Sequence, residues 1–161
     1  MRIQVGQRIP AVSLKRISRT GIEDVSTDAL FAGRRVVLVT LIGAFTPDCA
    51  EKHIPGYLAN SEKIRASGID EIFAVAVNDG FVMQEFGNRQ GLIGKVTLLA
   101  DGNADLARAL GIDLDLSIAG MGTRFTRGSM IIDDGVVTEL NLEPGREVTV
   151  SSAEHCLTTL G

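Results

Sequence analysis

Few side chains in this sequence can carry chemistry. There are two cysteines, Cys49 and Cys156, two histidines, His53 and His155, and no tryptophan. Cys49 has the more reactive setting: Thr46 lies three residues before it, Pro47 between them, and His53 four residues after. If a helix opens with Thr46 as its cap, Pro47 takes the first helical position, where its missing N–H costs nothing, and Cys49 becomes the third helical residue. Unpaired backbone N–H groups and the positive end of the helix dipole favour a thiolate there, and the thiolate is the nucleophilic form of cysteine. The Thr46 hydroxyl can reach back toward the thiol. Asp48 opposes this, because an adjacent carboxylate disfavours a second negative charge. The plainer alternative is a small apolar cysteine packed under a sheet, the commonest fate of a lone cysteine.

The elements that must position Cys49 are legible as a strand and a helix. Val36-Val37-Leu38-Val39-Thr40-Leu41-Ile42 is an apolar, β-branched run, which predicts a strand buried on both faces. The segment 43–49 follows it directly, and α/β folds place ligands at the C-terminal ends of such strands. Residues 72–77 and 96–99 read as further strands. Helices are predicted over 48–67, 80–89 and 104–110, with Asp79 as a cap and Gly68 and Gly111 at left-handed C-terminal positions. Pro55-Gly56 must kink or restart the first of them. Ser129 to Ile132, an Asp134-Gly135 turn and Val136-Val137 predict a hairpin. Ser151-Ser152-Ala153-Glu154 has the pattern of a capping box opening a final helix. The expected fold is therefore mixed α/β and thioredoxin-like, with residues 1–161 as one domain.

Composition bounds the function. The chain has 161 residues, 45% hydrophobic and 22% charged, with a net charge of −4 and 4% aromatics. That balance argues against nucleic-acid binding and against a basic membrane patch. Its start lacks a signal-peptide core and its longest apolar run is far short of a bilayer span, so a soluble, cytoplasmic protein with reduced thiols is expected.

The wider stretch around Cys49 narrows the choice. Gly43-Ala44-Phe45-Thr46-Pro47-x-Cys49-x-x-x-His53-x-Pro55-Gly56-Tyr57 resembles the active-site segment of peroxiredoxins, specifically the peroxiredoxin-5 (type II) subfamily. Val77-Asn78-Asp79, Leu99-Ala100-Asp101-Gly102, Gly122-Thr123-Arg124, Arg127-x-Ser129-Met130 and Val150-Ser151-Ser152-Ala153-Glu154 continue the resemblance in order. It implies that Cys49 attacks a peroxide, hydrogen peroxide or an alkyl hydroperoxide. Thr46 would bond the thiolate or peroxide, and Arg127 would supply the guanidinium of the site. Ile42, Gly43, Phe45 and Pro47 would form the substrate pocket. The product would be a sulfenic acid, which a second thiol must reduce. No cofactor or metal is implied, and a homodimer with its interface beside the active-site loops is.

The sequence also departs from that pattern. The residue before Gly43 is normally a proline that packs over the cysteine, and here it is Ile42. An aromatic normally follows the arginine, and here Gly128 does; Phe125-Thr126 differ as well. A low-turnover redox sensor or interaction protein on the same scaffold is thus the alternative. Resolving cysteines in the subfamily would fall at Ala74 or near Ser151, and neither is cysteine. Cys156 recurs with Ala153, Leu157 and Leu160 at helical spacing, which makes it a core residue before a resolving one. A one-cysteine mechanism using glutathione, glutaredoxin or thioredoxin is expected. The separation of 156 − 49 = 107 residues excludes a thioredoxin-type dithiol motif.

Other constellations are weaker. A Cys49–His53 hydrolase dyad competes with a structural hydrogen bond for His53, and the latter is expected. His53, His155 and the two cysteines fit no zinc spacing. Gly120-Met121-Gly122 reads as a loop, and Arg34-Arg35 as a solvated turn.

Overall fold

The computed structural model describes residues 1–145 and 147–160. In chain order its strands are β1 (Ser13–Ser18), β2 (Gly21–Ser26), β3 (Arg35–Thr40), β4 (Glu71–Ala76), β5 (Thr97–Ala100), β6 (Asp113–Asp115), β7 (Thr123–Phe125), β8 (Gly128–Asp133) and β9 (Val136–Leu142). The helices are α1 (Thr27–Phe31), α2 (Ile54–Ala59), α3 (Ser61–Ala66), α4 (Gly80–Gln90), α5 (Asp105–Leu110) and α6 (Ala153–Leu160). A seven-stranded sheet runs in the order β2-β1-β5-β4-β3-β8-β9, and β6 pairs with β7 apart from it. The three central strands β5, β4 and β3 are parallel, whereas β8 and β9 on one side and β1 and β2 on the other are antiparallel. This is a thioredoxin-like fold.

Alternation along β3 divides the core. Val36 and Leu38 point to one face, with Leu30 and Phe31 of α1 and Leu106 and Leu110 of α5. Val37 and Val39 point to the other, with Ile54 and Tyr57 of α2, Ile64 of α3, Met83 and Phe86 of α4, and Cys156 of α6. The predicted hairpin forms with Asp134 and Gly135 both in the left-handed region that such a turn requires. Asp79 caps α4 by accepting from the Val82 N–H at 2.9 Å. Among the described residues, no helix is long and apolar enough to cross a membrane.

Three expectations need correction. The helix predicted over 48–67 is divided by a π-helical turn at Cys49–His53 and a break at Asn60. Pro55 has no N–H to return to the preceding turn, and the Ile54 N–H bonds the Cys49 carbonyl five residues back. The final helix is capped by Ser152, which accepts from the His155 N–H, because the Ser151 hydroxyl is used elsewhere. Arg34 is not a solvated turn residue: it pairs with Glu71 and lies over the Phe73 ring, 5.9 Å from its centroid.

Candidate active site

Strand β3 delivers the chain to the site. The Leu41 N–H still bonds the Val75 carbonyl at 2.9 Å, after which the chain leaves the sheet. Two side chains from other segments then hold the loop. Asn78, after β4, accepts from the Ala44 N–H at 2.9 Å, and Arg124 of β7 donates to the Ile42 carbonyl at 3.3 Å. A Cβ at Gly43 would lie 2.5 Å from that guanidinium and push it off the carbonyl, so glycine suits the position. Phe45 has a φ of +65°, uncommon for a bulky residue, and its ring meets Phe86 edge-on with centroids 5.2 Å apart.

The helix then begins as the sequence suggested, with Pro47 first and the Ala50 N–H bonded to the Thr46 carbonyl at 2.9 Å. The Thr46 hydroxyl donates to the Gly43 carbonyl at 2.6 Å, which fixes it beside the thiol. Cys49 is fully buried. Arg127, also buried, brings Nη2 to 3.6 Å from the sulfur, with Nη1 4.0 Å from the half-exposed Asp48 carboxylate. Its backbone is pinned on both sides, since Thr40 donates to the Thr126 carbonyl and the Glu143 N–H to the Arg127 carbonyl. Burial pushes the Cys49 thiol up. The His53 and Thr46 side chains and the Gly43 backbone beside it, together with the Arg127 charge, outweigh this and bring the thiol down to about 6. The group is thus mostly thiolate at neutral pH.

Thr46, Cys49 and Arg127 are therefore brought together. Of the four pocket residues expected, Ile42 and Pro47 line a cavity of about 920 Å³ that also contains Thr46, Asp48, Arg127 and Glu143. Leu114, Leu116, Met121 and Leu142 give it an apolar wall. Phe45 instead turns toward Phe86, and Gly43 lies under Arg124. A second groove of about 870 Å³ lies between β1 and the start of α4, away from Thr46 and Arg127, and neither cavity has a cysteine in its lining. Cys156 sits in the apolar core on α6, where burial and then the Glu139 carboxylate push its thiol up to about 11. Both cysteines are free thiols.

A fixed thiolate beside a guanidinium that itself lines a cavity can attack a small electrophile and stabilise the anion that departs. The Redoxin family model matches residues 4–157. The chain is 43% identical to Peroxiredoxin-2E-2, chloroplastic, of Oryza sativa subsp. japonica over 163 residues, which cover 98% of this chain and 72% of that one. The chain belongs to the peroxiredoxins. Peroxiredoxin-2B of Arabidopsis thaliana is 38% identical over 159 residues, 98% of either chain. The structure of reduced Prx3 in complex with hydrogen peroxide from Vibrio vulnificus superimposes with a TM-score of 0.94 at 41% identity, covering 99% of both chains. The protein is accordingly an oxidoreductase of the thiol-peroxidase class.

The peroxiredoxin site shows how its two departures are accommodated. Ile42 is half-buried, packs on the core and still walls the cavity that Thr46 and Arg127 line. At Gly128 a Cβ would lie 2.6 Å from Leu142 and 2.9 Å from the Asn141 carbonyl, so β9 occupies the space an aromatic would need. Asn78 and Arg124 were visible in the sequence only as members of recurring motifs, not as the groups that hold the loop. Glu143 was not singled out at all, and nothing near it in the sequence signals its partners.

Proposed function

We propose that Cys49 is the peroxidatic cysteine of a type II, peroxiredoxin-5-like enzyme acting on hydrogen peroxide and small alkyl hydroperoxides. The observation that carries this reading is the Arg127 guanidinium 3.6 Å from a buried thiol held at about 6. The thiolate attacks the hydroxyl oxygen of the peroxide. The S–O bond forms, the O–O bond breaks, and the departing oxygen carries the electron pair and gains a proton to leave as water or alcohol. Arg127 is the donor aimed where that negative charge develops, and the Thr46 hydroxyl oxygen, its own proton given to the Gly43 carbonyl, is left to accept from the peroxide O–H. The apolar wall of the cavity suits a short alkyl group on the peroxide.

Cys49 is left as a sulfenic acid. An incoming thiol displaces water from it to give a mixed disulfide, which a second thiol cleaves. Cys156, buried on α6 with its thiol raised to about 11, is poorly suited to supply the first of these. A one-cysteine cycle with glutathione, glutaredoxin or thioredoxin as external donor is the proposed route. The exposed Phe45, on the loop before Cys49, and Ile118, on a 3-10 turn whose neighbours Leu116 and Ala119 line the cavity, support a homodimer whose interface lies there.

Mass spectrometry and non-reducing peptide mapping after one equivalent of peroxide test the reading. Cys49 is expected to gain one oxygen, with Cys156 unchanged. An unmodified Cys49 overturns the peroxidatic assignment, whereas a Cys49–Cys156 linkage within one chain overturns the one-cysteine route alone.

A further inference from the structure

His53 is almost fully buried, and its Nε2 lies 3.0 Å from the carbonyl oxygen of Ser151. A carbonyl only accepts, so Nε2 carries the proton, and in the neutral ring Nδ1 then presents a lone pair. Nδ1 is buried and makes no well-formed hydrogen bond in the resting arrangement. A buried polar atom of this kind calls for an explanation. His53 follows Cys49 by four residues in the same turn, which places both on one side of the helix. Of the influences that draw the Cys49 thiol downward against burial, the His53 side chain is the largest.

The carbonyl that fixes this tautomer is itself fixed. Tyr57 donates to it at 2.7 Å, with its ring edge-on to the imidazole. Glu143, almost fully buried, binds the turn that carries it, accepting from the Ser151 N–H (2.9 Å) and hydroxyl (2.6 Å) and from the Thr149 N–H (2.8 Å) and hydroxyl (2.9 Å). The same residue donates its N–H to the Arg127 carbonyl at 2.9 Å. One carboxyl-bearing residue thus reaches both partners of the thiol, His53 through Ser151 and Arg127 through its backbone.

We propose that His53 accepts the Cys49 thiol proton at Nδ1, and that Glu143 is the positioning residue that holds the acceptor in place. This rests on Cys49 being the nucleophile. The proton passes from Sγ to Nδ1, giving an imidazolium whose two N–H groups face the thiolate and the Ser151 carbonyl. On attack the sulfur gains oxygen, the departing alkoxide or hydroxide needs one proton, and the proton parked on His53 balances it, restoring the neutral ring. The other ionisable groups around this pair are Asp48, Arg127 before β8 and Glu143 after β9, with Tyr57 on α2 and, against Tyr57, Glu139 on β9 and Glu154 and Cys156 on α6.

The test is the pH profile of Cys49 ionisation, read by thiolate ultraviolet absorbance, and of its reaction with hydrogen peroxide. In His53→Gln the midpoint is expected to rise by about one unit, with the reaction about fivefold slower near pH 6 and recovering in alkali. Glu143→Gln should move it the same way by less. A wild-type profile in His53→Gln overturns the proposal. Should that variant not fold, nitrogen NMR of histidine-labelled wild type and Cys49→Ser decides. Nδ1 protonation that titrates with Cys49 and changes in Cys49→Ser supports the inference, and a resonance indifferent to Cys49 overturns it. Loss of peroxidase activity in Cys49→Ser with an unchanged His53→Gln profile sinks this inference only, while retained activity in Cys49→Ser sinks the reading beneath it.

Discussion

The two thiols differ hardly at all in exposure, 0% for Cys49 and 2% for Cys156, yet one is held at about 6 and the other at about 11. Burial raises both. Around Cys156 only the Arg35 charge opposes it, and weakly: the neighbours are apolar, and the Glu139 carboxylate adds to the rise. Around Cys49 the chain assembles a histidine, a hydroxyl, a backbone group and a guanidinium from two separate segments. Reactivity in this molecule is therefore set by which polar groups surround a sulfur, not by whether solvent touches it.

The starkest way to overturn that contrast is alkylation of the folded protein across pH. The thiolate is the reactive, deprotonated form, so labelling rises with pH through each thiol's midpoint. Cys49 should be half-reactive near pH 6 and Cys156 only near 11. At neutral pH that corresponds to a thiolate-population ratio on the order of 10⁴, and equal labelling in the native state would refute it. A smaller effect isolates the guanidinium. Arg127→Lys keeps a charge but loses the planar fork, and kcat/KM for peroxide should fall by roughly 10²-fold. Steady-state assays with any competent donor read this, and wild-type turnover would show the fork to be dispensable. The smallest change probes the inert thiol. Cys156→Ala should leave turnover intact and cost about 1 kcal/mol of packing, a Tm decrease of roughly 2–4 °C. Thermal unfolding and the peroxidase assay together would expose any role beyond packing.

The central fold was legible because its signals are local. The β-branched run of β3, the Asp134-Gly135 turn, the Asp79 cap and the Thr46-Pro47 helix start each specify their own conformation. The β1–β2 hairpin was not foreseen. Leu14 and Ile17 are three residues apart and pack on opposite faces of the sheet, so no alternation betrays the strand. The π-helical turn was likewise hidden, since Pro55 announces a disturbance without saying which hydrogen bond will give way. Within the site, Cys49, Thr46 and Arg127 could be singled out from motif and resemblance. The Asn78 contact to residue 44 and the Glu143 contacts to residues 127 and 149–151 depend on tertiary return of the chain, which no spacing encodes.

The absence of any exposed surface on Cys49 divides the catalytic cycle by size. A peroxide, little larger than water, needs only a small displacement of the residues between the cavity and the sulfur, whereas a folded reductase cannot touch an atom that has no accessible face. Between oxidation and reduction, residues 47–53 must unwind enough to present the sulfur, against the packing of Ile54 and Tyr57 beneath them. How often that segment opens places a ceiling on turnover however fast the thiol chemistry is, and makes the strength of one short helical turn the clock of the enzyme.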